Sequence, residues 1–419
     1  MNTKAIKMVT GAGFIAALTI STQGNAQVTT TQVNDFLKHI NTITTAVPFL
    51  LITPDSRAGG MGETGVATTP DVNSIHWNAA KLPFADKKMG LGISYTPWLR
   101  ALVPDINLAY VSFYSKLKDK NSAFGGSMRY FSMGNITFTD NIGTVIGQFR
   151  PNEFALDGFY ARKLGNKFSA AMTARLIRSN LTNAITVAGQ DTKTGSAFAV
   201  DLSGYYHNDK IKIQGKQSTL MFGMTISNIG NKISYSTSVN RDFIPINLRL
   251  GGGMMINADD YNAIGFQLEF DKLLVPTPPH YVIGSNGSPV INSNTQQYEI
   301  LAGKDPNVSV PQGMIQSFYD APGGYKEELR EINICTGVEY WYNHIFAVRT
   351  GYFYEAPTKG NRQFLTLGAG VKYHVFGLDF AYLIPTNGQR SPLSNTLRFT
   401  LTFDFDAAKD QGDVGTDGK

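Results

Sequence analysis

The chain has 419 residues, with 37 Lys and Arg against 32 Asp and Glu, a formal net charge of +5 and a single cysteine, Cys335. So small an excess of base is not a nucleic-acid footprint, and no stretch of sequence concentrates Lys and Arg on one face. One thiol forms no internal disulfide, which excludes a disulfide-stapled extracellular scaffold, and with no Cys/His constellation around it Cys335 reads as a buried packing residue.

Residues 1–26 read as a secretory signal peptide. Lys4 and Lys7 are its only charges, an apolar stretch runs from Met8 to Ile20, and Gly24-Asn25-Ala26 supplies a small-residue cleavage site. The apolar run is short for a bilayer span, and no cysteine stands at the cleavage point for a lipid anchor. Removing the two lysines leaves 35 basic and 32 acidic residues, a net charge of +3. From Gln27 to Leu51 the chain is polar and Thr-rich, then mildly apolar, with an amphipathic turn or two at Asp35–Ile40. Length alone fits two or three soluble domains. No linker divides the chain, however, and low charge (16%) with 42 Gly, 26 Phe and 19 Tyr fits one large closed sheet better.

The stretch Ile52–Phe84 differs from everything after it. It is Gly-rich and lacks strict alternation, and its Asp71–Leu82 run fits one short helix. An irregular segment ahead of long strands is what a closed barrel needs as a plug, since such backbone must be satisfied by protein or water rather than lipid. Residues 27–87 are therefore expected to form an N-terminal segment and hatch or plug, with Arg57, Gly59, Gly60, Met61, Gly62, Trp77 and Asn78 as its key residues. Arg57 is expected to enter the lumen and pair with a carboxylate, Glu269 or Glu339, a buried guanidinium needing such a partner. The competing expectation is hydrogen bonding to loop carbonyls.

From Lys88 onward the pattern has period two. In 396–405, Leu397, Phe399, Leu401, Phe403 and Phe405 alternate with Arg398, Thr400, Thr402 and Asp404; 363–375 and 262–271 alternate in the same way. The expected strands are 89–98, 106–117, 122–138, 153–164, 167–178, 195–206, 218–229, 245–257, 261–273, 329–342, 345–355, 363–375, 377–384 and 396–405. That even count, with strands near the roughly 9–11 residues that cross a bilayer at a tilt, predicts an all-β, closed antiparallel transmembrane barrel over 88–405. Alternation alone leaves a soluble sandwich open, because there too one face is apolar. The connections after even-numbered strands are short, 207–217 excepted, and those after odd-numbered strands are long. Short periplasmic turns with long external loops is the barrel rule, and it puts both termini in the periplasm.

The longest connection, 274–328, carries seven prolines and the aromatics Tyr281, Tyr298, Phe318, Tyr319 and Tyr325. So long a loop with so many aromatics reads as a partner-binding loop, the alternative being a mobile cover over the barrel mouth. Residues 406–419 read as a disordered periplasmic tail.

Enzyme signatures are missing. Arg57–Gly62 is Gly-rich but no Gly-Lys-Ser/Thr follows, so it is no phosphate loop. The six histidines have no metal-ligand spacing, and His76 beside Trp77 reads as a packed aromatic. Glu269, Asp271 and Glu339 read as carboxylates of a wet lumen. No catalytic residue, cofactor or metal site is expected.

The segment Pro54-Asp55-Ser56-Arg57-Ala58-Gly59-Gly60-Met61-Gly62, with Gly65-Val66-Ala67, Asp71-Val72-Asn73-Ser74 and Trp77-Asn78-Ala79-Ala80-Lys81-Leu82, resembles the PorV family, outer-membrane barrels of the type IX secretion system of Bacteroidetes. A looser form of the motif marks a wider set similar to the fatty-acid channel FadL, which often has proline where this chain has Ala79. The likeness extends over nearly all of the mature chain. It implies a fourteen-stranded FadL-like barrel in the outer membrane of a Gram-negative bacterium, and a non-enzymatic role. That role is to receive exported cargo through its C-terminal signal domain from the translocon barrel and deliver it to a sortase-like cell-surface attachment complex. The alternative is a FadL-like channel for diffusion of hydrophobic small molecules, against which stand polar lumen positions such as Glu269, Asp271, Lys372 and Arg398.

Overall fold

The computed structural model describes residues 40–98, 105–139, 142–182, 186–187, 190–236, 241–387 and 396–405. The expected signal peptide, the turn at 35–39 and the 406–419 tail lie outside the described residues. Fourteen of the described strands form the barrel. They are β1 (Met89–Pro97), β2 (Ile106–Lys116), β3 (Ser122–Met133), β4 (Asn152–Lys163), β5 (Phe168–Asn180), β6 (Gly195–Ile213) and β7 (Lys216–Gly230). After these come β8 (Asn247–Asn257), β9 (Asn262–Leu273), β10 (Asn333–Tyr342), β11 (Phe346–Tyr354), β12 (Gln363–Tyr373), β13 (Phe376–Pro385) and β14 (Leu397–Phe405). Each pairs antiparallel with its neighbours in sequence, and β1 closes on β14 from Met89 opposite Phe405 to Tyr95 opposite Phe399. Closure leaves no open edge, so every wall strand is satisfied by its neighbours.

The two rims differ. After each even-numbered strand comes a tight turn, and after each odd-numbered strand a longer connection. The 207–217 connection, expected to be long, is itself a hairpin: β6 and β7 run on to Ile213 opposite Lys216, and Gln214 (φ 49°) and Gly215 (φ 79°) make the turn. Two positive φ values in a two-residue loop match the right-handed twist of its flanking strands. Two other expectations are corrected. The strand expected over 122–138 stops at Met133; Gly134 turns the chain at φ 79°, and Ile136–Thr139 pairs with Val145–Phe149 as a separate hairpin. The strand expected from 329 begins at Asn333, because Tyr325–Arg330 is helical. A strand sends residues three apart to opposite faces, whereas here Glu328 and Glu331 both reach Lys272.

The distribution of polarity settles what alternation left open. On β5, Met172 and Leu176 are 57% and 55% exposed, while Thr173, Arg175 and Ser179 between and beyond them are buried. Arg129, Arg249, Arg349 and Arg398 are likewise buried, and Leu156, Phe222, Phe266 and Phe380 are exposed. An apolar outer wall around a charged interior is the reverse of a soluble sandwich and the arrangement a lipid environment requires. None of the described helices is long and apolar enough to cross a membrane.

Inside the ring, apolar side chains gather near each rim. Toward the long connections, Val47, Phe49 and Leu50 pack with Leu108, Ile177, Ile244 and Leu274. Toward the tight turns, Val72, Ile75, Ala80 and Leu82 pack with Tyr114, Phe159, Tyr205 and Met221.

Candidate functional site: the luminal segment and the long loop

The segment ahead of β1 touches the inner wall on many sides. A short helix, α1 (Ser56–Gly59), starts at Asp55, whose Oδ2 accepts the Ala58 N–H at 2.9 Å while its Oδ1 accepts Trp77 Nε1–H at 2.7 Å. That cap aims Arg57 at the wall. Its Nε and Nη2 donate to the two carboxylate oxygens of Glu339 on β10 at 3.0 and 2.8 Å, and its Nη1 donates to Asp71 at 2.9 Å. Loop acceptors join in: Thr69 takes further bonds through its carbonyl (3.0 Å) and hydroxyl (2.6 Å). Glu339 also accepts from Arg349 Nε at 2.6 Å, and Arg349 Nη1 donates to Asp379 at 2.5 Å. Arg57 and Glu339 thus each have opposite partners and several hydrogen bonds, while Arg349 Nη2 is buried without a hydrogen-bond partner. Glu269, the other candidate partner for Arg57, instead accepts the N–H groups of Gly65 (2.7 Å) and Val66 (2.9 Å).

Gly60, Met61 and Gly62 lie backbone to backbone against the wall, and Gly59 faces the Arg398 side chain. A Cβ on Gly60 would stand 2.9 Å from Cα of Gly368 on β12. One on Gly62 (φ 66°) would strike the backbone of Thr336 and Tyr352, and one on Gly351 of β11 would strike Met61 and Gly62. Gly337 on β10 meets the Met61 carbonyl in the same way, so three wall glycines form a seat for the segment. Met61 is fully buried there, and the Gly62 N–H donates to Thr366 Oγ1 at 2.8 Å. The expected single helix over 71–82 is divided. Ser74–Trp77 forms α2, Asn78 is extended (φ −164°, ψ 96°), and Ala79–Phe84 continues as a 3₁₀ helix. Asn78 accounts for the break: its Oδ1 accepts the Ala80 N–H, while its Nδ2 donates to Val66 O and to Gly204 O on β6, each at 3.0 Å. Trp77 is buried beneath Arg249, whose guanidinium lies 5.1 Å from the ring centre, and packs edge-on against His76 at 4.7 Å.

Several lumen residues carry as much of this network as those singled out from sequence. Arg175 on β5 donates to Asp157 (2.7 Å) and Asp201 (2.9 Å), and also to Asn228, which stands at a positive φ of 62° where the β6–β7 register shifts. Arg129 Nη2 lies 2.6 Å from His76 Nδ1. The available signal was an arginine at the polar position of an alternating strand, as in Ala174-Arg175-Leu176; the wall glycines gave only the same small-residue alternation.

The long loop is ordered around a charged base. Lys272 Nζ donates to Glu328 (3.1 Å) and Glu331 (2.6 Å), and Lys359 Nζ to Glu327 (2.5 Å) and Glu331 (3.0 Å). Burial pushes the Asp320 carboxyl up to about 6, against the Thr277 N–H that it accepts at 3.1 Å. Burial is the largest single effect on Glu327 and raises it, but the hydrogen bonds from Lys359, the Gly323 N–H and Asn41, with the Lys359 charge, together outweigh it and its carboxyl titrates below the ordinary value. Above this base, helices α3 (Val310–Gln316) and α4 (Tyr325–Arg330) flank the Phe318–Gly324 turn. Phe318, Tyr319 and Tyr325 are 52%, 55% and 71% exposed. Tyr281 and Tyr298 come together elsewhere in the loop, ring centres 5.5 Å apart, beside the small His280–Tyr281 and Ile300–Ala302 sheet. Beside the segment ahead of β1, a cavity of about 550 Å³ is lined by Phe49, Ile52, Phe353 and Phe364 and by the charged Arg249 and Asp271. Among the described residues, no group of three or more His, Cys, Asp or Glu is placed to hold a metal ion.

A closed antiparallel barrel with an apolar outer wall and a charged, internally paired lumen is an outer-membrane β-barrel. The family model for type IX secretion system protein PorV matches residues 36–280, more than half of the chain, and the chain belongs to that family. No curated protein matches it. Among solved structures it is similar to the toluene transporter TbuX of Ralstonia pickettii at 13% identity and a TM-score of 0.44, covering 84% of this chain and 98% of that one. It is similar at 11% identity and the same TM-score to the toluene transporter TodX of Pseudomonas putida, with 85% and 99% covered. A FadL homologue of Pseudomonas aeruginosa gives 11% identity, a TM-score of 0.44, and coverage of 87% and 99%.

Proposed function

We propose that this type IX secretion protein is a cargo carrier in the outer membrane. It takes exported proteins, recognised by their C-terminal signal domain, from the translocon barrel and passes them to the sortase-like attachment complex. The tight turns face the periplasm, with both termini, and the long connections face outward. Residues 41–87 act as a fixed plug, so that cargo is handled outside the barrel rather than through it. The observation that carries this reading is the pairing of a firmly based outer loop with exposed aromatics. Lys272 and Lys359 anchor it through Glu327, Glu328 and Glu331, and Phe318, Tyr319 and Tyr325 stand out from it. Aromatic side chains on a preordered loop supply interface core at low ordering cost. A channel for hydrophobic molecules fits less well, since the middle of the lumen is lined by ion pairs.

Replacing Phe318, Tyr319 and Tyr325 together by serine tests the carrier reading. The barrel should still assemble and show heat-modifiable migration, while cargo processing and surface attachment slow. Full-rate delivery by an assembled variant would remove this loop as the contact site.

A further inference from the structure

Lys and Arg do not cluster in the sequence, but the fold brings them together on one part of one rim. The turn regions 116–121, 162–167 and 209–216 carry nine basic residues against two acidic ones. The other three tight-turn regions, 258–262, 342–346 and 372–376, carry one basic and two acidic residues. Hairpin turns recur only once every two strands, so charges spread over a hundred residues meet at the β2–β7 side of the rim. Their heads do not all point the same way. Lys116 Nζ turns inward to the Ala85 carbonyl at 2.7 Å, and Lys163 Nζ lies 4.4 Å from the centre of the Phe84 ring. Lys118, Lys120, Arg162, Lys167, Lys210 and Lys212 are exposed.

The outward face of β4 shows what lies beside them. Leu156 and Tyr160 are 50% and 47% exposed, and Arg162 follows on the same face by period two. Phe168 and Phe124, 46% and 44% exposed, flank it on the neighbouring strands. Apolar wall, aromatic ring, then guanidinium is the order of a chain passing from hydrocarbon through the interface to the headgroup layer. Arg162 is also built into that wall: it pairs in register with Ser122, whose hydroxyl accepts from Tyr160 at 3.1 Å.

We infer that the β2–β7 side of the tight-turn rim binds anionic glycerophospholipid headgroups of the adjoining leaflet, with acyl chains lying on the apolar wall at Leu156, Tyr160 and Phe168. Charge complementarity selects an anionic headgroup, and continuity with the lipid-facing wall selects a lipid over an acidic soluble protein. The choice of leaflet rests on the orientation proposed above, and epitope accessibility on cells tests that separately.

The full-length chain in neutral detergent is titrated with phosphatidylglycerol or phosphatidylcholine of matched acyl chains and lipid adducts are read by native mass spectrometry. Phosphatidylglycerol should bind roughly tenfold more tightly, with the preference shrinking at high salt. In the combined variant Lys118→Gln, Lys120→Gln, Arg162→Gln, Lys167→Gln the preference should fall to about twofold or less. The double variant Lys118→Gln, Lys120→Gln, confined to a turn, should lose part of it. Arg150→Gln with Lys193→Gln, on the opposite rim, should lose none. Heat-modifiable migration verifies that each barrel is assembled. Equal affinity for the two lipids, a preference unchanged in the combined variant, or capture of acidic proteins with no lipid preference overturns the inference. Tighter binding of lipid A than of phosphatidylglycerol overturns the glycerophospholipid assignment.

Discussion

Arg57 holds the luminal segment to the wall through one side chain that serves two carboxylates. Removing it leaves Asp71 without its cation and Glu339 with Arg349 alone. Breaking such a buried pair costs about 3–5 kcal/mol. Arg57→Ala should therefore lower the temperature at which the compact band on gels converts to the unfolded one. Arg57→Lys should recover only part of the loss, because an ammonium cannot span Glu339 bidentately and still reach Asp71. An unchanged transition temperature in Arg57→Ala would show that the pair does not hold the segment. At the loop base, Asp320 gives a pH dependence. Its carboxyl is raised when the loop is seated, to about 6, so the seated loop holds an extra proton between its ordinary value and that point. Seating is therefore strongest in acid, weakens as pH rises toward about 6 and is level above it. Glu327, shifted downward, acts in the opposite direction and at lower pH, so a comparison of pH 5 with pH 7 isolates Asp320. Hydrogen exchange of 277–320, corrected for intrinsic rates, should be slower at pH 5, and Asp320→Asn should remove the difference. Equal protection at both pH values would contradict the assignment. From sequence, Arg57 and two candidate partners, Glu269 and Glu339, could be named because a buried guanidinium demands a carboxylate, but period two could not choose between them. Asp71 could not be named, since a carboxylate in an irregular stretch has no period to say which way it faces.

The wall glycines matter at the level of the element. Gly351 has no room for a Cβ, since Met61 and Gly62 backbone fill the space, whereas a Cβ on Gly158 meets nothing within 4 Å. Gly351→Ala should leave a closed barrel whose luminal segment is displaced, seen as protease cleavage near Gly62 or as raised pore conductance in planar bilayers. Gly158→Ala should do neither. If Gly351→Ala behaves like Gly158→Ala, the seat is not what positions the segment. Alternation made the strands legible, because each wall residue answers to lipid or lumen every second position. It could not show where strands stop. Gly134 ends β3 through its φ, and Asn78 divides the 71–82 helix by bonds to Val66 and Gly204, a partner 126 residues away. The β6–β7 hairpin was missed for the converse reason, since Asp209, Lys210 and Lys212 look like loop sequence until two positive-φ residues fold them back as strand ends.

At the scale of the molecule the prediction is topological. An epitope inserted near Asn294 should be accessible on intact cells, and one at Asp119-Lys120 should be accessible only after permeabilisation; the reverse pattern would invert the proposed orientation. Strand number and closure could be read from the chain because they follow from periodicity and from the parity of short and long connections. The burial pattern then decided between barrel and sandwich, which period two treats alike. The closure has a consequence for biogenesis. Residues 53–85 precede β1 in the chain, yet they are held by Glu269 on β9, Glu339 on β10 and, on β14, by Thr400 through the Ser56 N–H and by Arg398 through Glu63. A segment made before β1 is thus latched by the last barrel strand to be made. Those bonds to β14 form only once the last strand is in place, so joining β14 to β1 both seals the wall and completes the set of groups that hold the segment, whereas wall pairs such as Arg175 with Asp157 and Asp201 form as neighbouring strands meet.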